Sequence, residues 1–197
     1  MRITIAEVNM LDQERFVALL GPLFEQSPWI AADAWRSRPF ASLHHLHDAL
    51  CAVMYHATPE QQVVLIQAHP DLVGRAARAG TLTPESQGEQ VSAGLDRLSP
   101  EEFAAFTEMN RAYHERFGFP FVICVRESRK AAILAGFRTR LDHSRDDEIR
   151  TALGEIAKIS HLRLLDRVGD GKGLGSEREH AAPQSLKEQS DVDRRYN

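Results

Sequence analysis

Cysteine is scarce in this chain, with only Cys51 and Cys124 among 197 residues. They lie far apart and without metal-type spacing, which excludes a disulfide scaffold and a cysteine-rich zinc site and leads us to expect a reducing, cytoplasmic setting. Long apolar runs are missing too. No segment approaches the ~20 residues of a membrane span, and the opening MRITIAEVNM lacks the apolar core of a signal peptide, so no membrane partner is expected. Neither sign of charge dominates: 24 basic against 28 acidic side chains give a net charge of −4, with the basic residues scattered among acids. No nucleic-acid partner is expected from such a balance. Also absent are a glycine-rich phosphate loop, a GxSxG elbow, an HExxH motif and any internal repeat.

What the chain does have is helical periodicity, in a composition (43% hydrophobic, 26% charged) ordinary for one globular domain with its own core. Asp12 is a good N-cap ahead of Phe16, Leu19, Leu20, Leu23 and Phe24, the stripe of an amphipathic helix that Ser27-Pro28-Trp29 ends. Ser42 opens a second helix with Leu43, Leu46, Leu50, Val53 and Met54 inward, and Thr58-Pro59 a third that runs to His69. Thr83-Pro84 starts a fourth. Ser99-Pro100-Glu101-Glu102 has the capping-box pattern ahead of Phe103, Phe106, Met109 and Tyr113, and further helices fit 131–141 and 144–168, the last with Ile149, Leu153, Ile156 and Ile159 inward. Phe119 to Val125 is β-prone and apolar, yet alone. A single strand has no ladder partner, so residues 119–125 are expected as a buried extended segment whose backbone groups need partners that a ligand can supply. The expected architecture is all-α: a single-domain bundle of about seven to nine helices over 1–168, then a polar, glycine-rich, mobile tail over 169–197.

The stretch from Leu65 to Leu95 departs most from a generic helical protein. His69 closes an apolar run directly before Pro70, so it is pushed out of the α region and should project from a helix end. On the following helix Ser86, Glu89 and Gln90 fall at i, i+3 and i+4 and share a face. Ala93 and Gly94 extend that stripe with almost no side chain, where a small ligand is expected to approach the backbone. An imidazole facing a hydroxyl, a carboxylate and an amide is a polar wall with acid–base capability. Each residue also has a plainer reading, His69 as a core or capping histidine, Glu89 as a solvated helix charge, and Arg163 as a surface cation on the last helix. The His44-His45-x-His47 cluster lacks the Cys, Asp or Glu set that completes a coordination sphere, so surface or interface histidines are expected rather than a metal site. Cys124 sits in an apolar run without an adjacent base, and packing is expected rather than nucleophilic chemistry.

Taken together, six marks in order resemble the family of 2-oxo-4-hydroxy-4-carboxy-5-ureidoimidazoline (OHCU) decarboxylases of urate breakdown. They are Ser27-Pro28-Trp29, Arg38-Pro39-Phe40, Ala68-His69-Pro70-Asp71-Leu72, Ser86-x-x-Glu89-Gln90 with Ala93-Gly94-Leu95, Phe117 to Ile123, and Glu155 to Ile159 leading to Arg163. The resemblance runs from Met10 to about Val168. It implies an all-helical fold, a homodimer, no cofactor, and conversion of OHCU to (S)-allantoin and CO2. Carried over residue by residue, it implies His69 and Glu89 as catalytic groups. Pro70, Ser86, Gln90, Phe121, Val122, Ile123 and Arg163 would hold the substrate, the Phe119 to Ile123 stretch through its backbone. The Val73-Gly74-Arg75 step and the long tail depart from the pattern. A hydrolase of a related ureido compound, using the same His and Glu on water, and a non-catalytic helical interaction module are the competing readings.

Overall fold

Polar caps ahead of proline set several of the helix starts. In the computed structural model, which describes residues 2–169, Thr58, Thr83 and Ser99 each accept a hydrogen bond from the backbone N–H three residues on, and proline takes the first helical position. The helices are α1 (Ile5–Met10), α2 (Gln13–Leu20), α3 (Trp29–Ala34), α4 (Leu43–His56), α5 (Pro59–Gln67), α6 (Arg75–Ala79), α7 (Pro84–Ser92), α8 (Pro100–Phe117), α9 (Lys130–Arg140) and α10 (Arg145–Arg167). Two-residue strands β1 (Ile3–Thr4) and β2 (Val168–Gly169) pair in parallel, with Ile3 opposite Val168. No helix among the described residues is long and apolar enough to cross a membrane.

The fold is all-α, as expected, and the helices beyond those read from the sequence are α1, α3 and α6, of six, six and five residues. Segments that short carry too little periodicity to register. The first amphipathic stripe is also shorter than expected: α2 stops at Leu20, a 3-10 turn covers Gly21–Leu23, and Gln26 takes a positive φ of 47°. Ser27-Pro28-Trp29 therefore leads into α3 rather than merely ending a helix. Leu23 and Phe24 stay buried because the turn folds them back onto the core. The expected tail, apart from Gly169, lies outside the described residues.

Helix α10 packs against both α4 and α5, burying Leu153, Ile156 and Ile159. Residues 119–124 run without regular structure between α8 and α9, and Val125 opens a 3-10 turn over Val125–Glu127, one residue earlier than the expected end of the extended segment. The side chains of this segment anchor it in an aromatic cluster: Phe121 stacks on Phe137 with ring centroids 3.8 Å apart, and Tyr113 meets Phe121 edge-on at 5.2 Å. Its backbone is held from two sides. Arg140 Nη1 donates to the Val122 carbonyl at 2.8 Å, and the Cys124 N–H donates to Glu155 Oε2 at 2.8 Å. Among the described residues, the N–H groups of Phe121, Val122 and Ile123 meet no acceptor.

Arg140 can serve as an anchor because its charge is matched in the interior. Glu148 is fully buried and accepts from Arg140, from the Tyr113 hydroxyl and from His143 Nδ1. The Arg140 guanidinium also lies 4.4 Å from the centre of the Phe121 ring. Replacing Arg140 with methionine leaves Glu148 buried without its main counter-charge, a change that costs about 3–5 kcal/mol. Urea denaturation of Arg140→Met should show a loss of that size, whereas a loss below about 1 kcal/mol would show that His143 and Tyr113 alone satisfy Glu148.

Candidate active site

Pro70 prevents α5 from continuing through His69, which sits at a bend with its N–H bonded to the Ile66 carbonyl at 3.1 Å. The imidazole folds back over the last turn, and Nδ1 donates to the Leu65 carbonyl at 2.9 Å. A carbonyl only accepts, so Nδ1 carries the proton and Nε2 holds the lone pair. Burial pushes the His69 pKa down to about 4, the Leu65 carbonyl and Glu25 partly oppose that, and Arg163 adds to it. Near neutral pH the ring is uncharged.

The residues after His69 turn sharply. A Cβ on Gly74 would lie 2.5 Å from that of Asp71, and Val73 has a φ of 58°, which explains the Val73-Gly74 step as a tight corner. Gln90 Oε1 accepts the Val73 N–H at 3.1 Å and Asn110 Nδ2 donates to the Leu72 carbonyl at 2.8 Å, so both fix the corner that carries His69. On α7, Ser86, Glu89 and Gln90 do share one inward face. Gly94 does not line the pocket: it takes a left-handed φ of 71° just past the end of α7, and Leu95 N–H closes onto the Gln90 carbonyl at 3.0 Å. Its smallness serves helix termination rather than close approach of a ligand.

At the centre lies Arg163, 3% exposed. Its Nε donates to Glu89 Oε1 at 2.7 Å, and Nη2 donates to Glu89 Oε2 at 2.8 Å, to Glu25 Oε1 at 3.1 Å and to Ser86 Oγ at 3.2 Å. Burial alone would lower its pKa, but the two carboxylates hold it above the ordinary arginine value. Glu25, also 3% exposed, accepts in addition from the Ser86 hydroxyl and from Thr83 Oγ1 at 3.1 Å. Sequence reasoning misses Glu25. The signal available is a carboxylate set directly after the apolar Pro22-Leu23-Phe24 and two residues before Ser27-Pro28-Trp29, where a solvated charge is out of place.

His69, Glu89, Pro70, Ser86, Gln90, Phe121, Val122, Ile123 and Arg163 line one pocket, joined by Leu72, Val125 and Ile159, whereas Phe119 and Pro120 of the expected backbone stretch do not line it. Its free volume is about 30 Å³, and the bonded Glu89–Arg163 pair forms part of its lining. His69 and Pro70 also border an open cavity of about 430 Å³ with Gln67, Asp71, Arg75 and His114. Among the described residues no group of three or more His, Cys, Asp or Glu is placed to hold a metal. His44 pairs with Asp48 at the surface, His45 accepts the Ala41 N–H, and His47, half-buried rather than at the surface, donates to the Ala157 carbonyl at 3.0 Å. Burial pushes the Cys124 thiol up to about 11, which suits packing and not a nucleophile.

A neutral buried imidazole, a guanidinium shared by two carboxylates and a row of unpaired amides come together in an all-α fold, an arrangement with acid–base capability. Comparison with known proteins makes the class specific. The model of the OHCU decarboxylase family matches residues 9–165, and the chain belongs to that family. It is 43% identical to the 2-oxo-4-hydroxy-4-carboxy-5-ureidoimidazoline decarboxylase of Haloferax volcanii, over 84% of this chain and 96% of that protein. The mouse protein of the same name is 42% identical, over 84% of this chain and 93% of its own. A crystal structure of (S)-allantoin synthase superposes with a TM-score of 0.66 at 26% identity, covering 84% of this chain and 54% of that one.

The depressed His69 pKa makes stability depend on pH with a definite sign. As pH falls, the unfolded chain binds a proton at the ordinary value of 6.5 while the folded protein resists until about 4, so stability present above 6.5 is lost through that window. The loss attributable to this one group is on the order of 3 kcal/mol. In urea titrations across the window, His69→Asn should show a flatter pH dependence than the unsubstituted protein. Parallel curves would mean that the folded state protonates His69 as easily as the unfolded one.

Proposed function

We propose that this protein decarboxylates OHCU to (S)-allantoin and CO2 in urate breakdown. The observation that carries the reading is the convergence of a neutral His69, the Glu89–Arg163 pair and the free amides of residues 121–123 on one pocket, in a chain over 40% identical to decarboxylases of that name. The carboxylate of OHCU is on a carbon that also bears a hydroxyl and adjoins a C=N bond. When the C–C bond to the carboxylate breaks, its electron pair forms a ring C=C and the C=N nitrogen takes the displaced pair and a proton. The enol hydroxyl then gives up its proton as the neighbouring carbon gains one. One proton is consumed overall.

Because the substrate supplies its own electron sink, the chemistry is served without a cofactor. His69, with its lone pair on Nε2, takes the hydroxyl proton, and Glu89 orients His69 or the ring. Arg163 clamps a carboxylate or ureido oxygen, which requires Glu89 to yield part of its grip. Ser86, Gln90 and Pro70, with the backbone of Phe121, Val122 and Ile123, fix the ring so that the proton arrives on one face. Family resemblance supports a homodimer as the working form, and two free, buried thiols suit the cytoplasm.

The decisive experiment is a circular-dichroism time course on urate treated with urate oxidase and 5-hydroxyisourate hydrolase. Faster appearance of the (S)-allantoin signal, abolished in His69→Ala, is expected. Release of ammonia or a ring-opened acid instead of CO2 would favour the ureido hydrolase, and an unchanged racemic course would sink the decarboxylase reading. Glu89→Gln should lower kcat by about 100-fold or more with a much smaller effect on KM. A change confined to KM would reduce Glu89 to a binding group.

A further inference from the structure

Glu25 has no place in the chemistry above, yet it accepts hydrogen bonds from three residues and is as buried as Arg163. It does not line the pocket; its partners Arg163 and Ser86 do. Apart from its field on His69, what Glu25 contributes passes through those two groups. Thr83 fixes the carboxylate from α7, the same helix that carries Ser86 and Glu89.

Glu89 and Arg163 line the pocket already bonded to each other, so an anionic ligand takes the guanidinium only as that pair loosens. The two carboxylates on Arg163 are unequal in this respect. Glu89 faces the pocket with 12% of its side chain exposed, against 3% for Glu25 and for Arg163. Glu89 holds Arg163 through Nε and Nη2, Glu25 through Nη2 alone. We infer that Glu25 is a positioning residue: it holds Arg163 and Ser86 from behind, so that Glu89 can hand Arg163 to the substrate while the cation stays in the pocket. This rests on the decarboxylase reading above, in which Arg163 receives an anionic substrate. Without Glu25 no charge holds Arg163 and the Ser86 hydroxyl from behind, so the guanidinium is drawn toward Glu89 and substrate meets it displaced, a geometric loss that outweighs the relief of one negative charge.

The test is steady-state kinetics of the full chain on enzymatically generated OHCU. Glu25→Gln keeps the volume and an acceptor oxygen but removes the charge, and it should raise KM about tenfold while kcat stays within about threefold. The Glu25→Gln, Glu89→Gln double variant should lose most of that KM penalty relative to Glu89→Gln alone, because the competitor for Arg163 is gone. A purely structural role predicts the same penalty in both backgrounds and would overturn the inference, as would an unchanged KM or a loss confined to kcat. Should Glu25→Gln not fold, Glu25→Asp withdraws the charge by one methylene and carries the same test: raised KM supports the inference and unchanged KM overturns it. An unsubstituted protein with no turnover would instead sink the decarboxylase reading, an outcome distinct from normal turnover with an indifferent Glu25.

Discussion

A guanidinium removed from water has to be met by anions wherever the chain can bring them, and Arg163 imposes that demand on the whole structure. The desolvation of one such ion costs several kcal/mol unless its hydrogen bonds are all made. Here they are made by Glu89 and Ser86 from α7 and by Glu25 from the turn after α2, segments separated by most of the chain. The pairing therefore acts as a long-range clamp. It closes the N-terminal helices and α7 onto α10, and the surface it leaves between them is the pocket wall.

The opposite wall depends on a second buried ion cluster, and one helix serves both. Glu148 near the start of α10 holds Arg140 and through it the Val122 carbonyl, Glu155 holds the Cys124 N–H, and Arg163 anchors α7. These residues follow one another at roughly two-turn intervals and span about 22 Å of helix axis. Helix α10 is thus a ruler that spaces the extended segment from α7. The unpaired amides at 121–123 follow from this arrangement: the segment is fixed by side chains at the Val122 carbonyl and the Cys124 N–H, so no neighbouring strand is needed and none among the described residues closes off those donors.

Local chemistry was readable where the sequence states it locally. Thr83-Pro84, Thr58-Pro59 and Ser99-Pro100 mark helix starts because a cap and the N–H that donates to it lie within four residues. The His69-Pro70 corner and the Ser86, Glu89, Gln90 face follow from proline sterics and helical spacing. The apolar flanks of Glu25 hint at its burial, but its partners were not readable, since they lie up to 138 residues away. The single-residue trend at Gly94 misled for the complementary reason. A small residue on a helical stripe looks like space for a ligand, and only the left-handed φ shows it to be the helix terminus. Short α1, α3 and α6 and the β1–β2 pair are set by tertiary packing, which periodicity does not encode.

Charge bookkeeping around His69 ties the two ends of the reasoning together. Two carboxylates face one guanidinium beside a neutral imidazole, so the cluster carries a surplus negative charge in a site shielded from water. An incoming anionic carboxylate raises that surplus, and unit charges about 4 Å apart at an effective dielectric near 20 interact by roughly 4 kcal/mol. Such a site favours whatever step removes negative charge. Breaking the bond to the carboxylate expels it as neutral CO2, and the proton consumed in the same sequence neutralises the charge left on the ring. The feature that makes the pocket a poor resting place for an anion is the one that favours this anion's conversion, provided Arg163 stays fixed while the carboxylate arrives and departs.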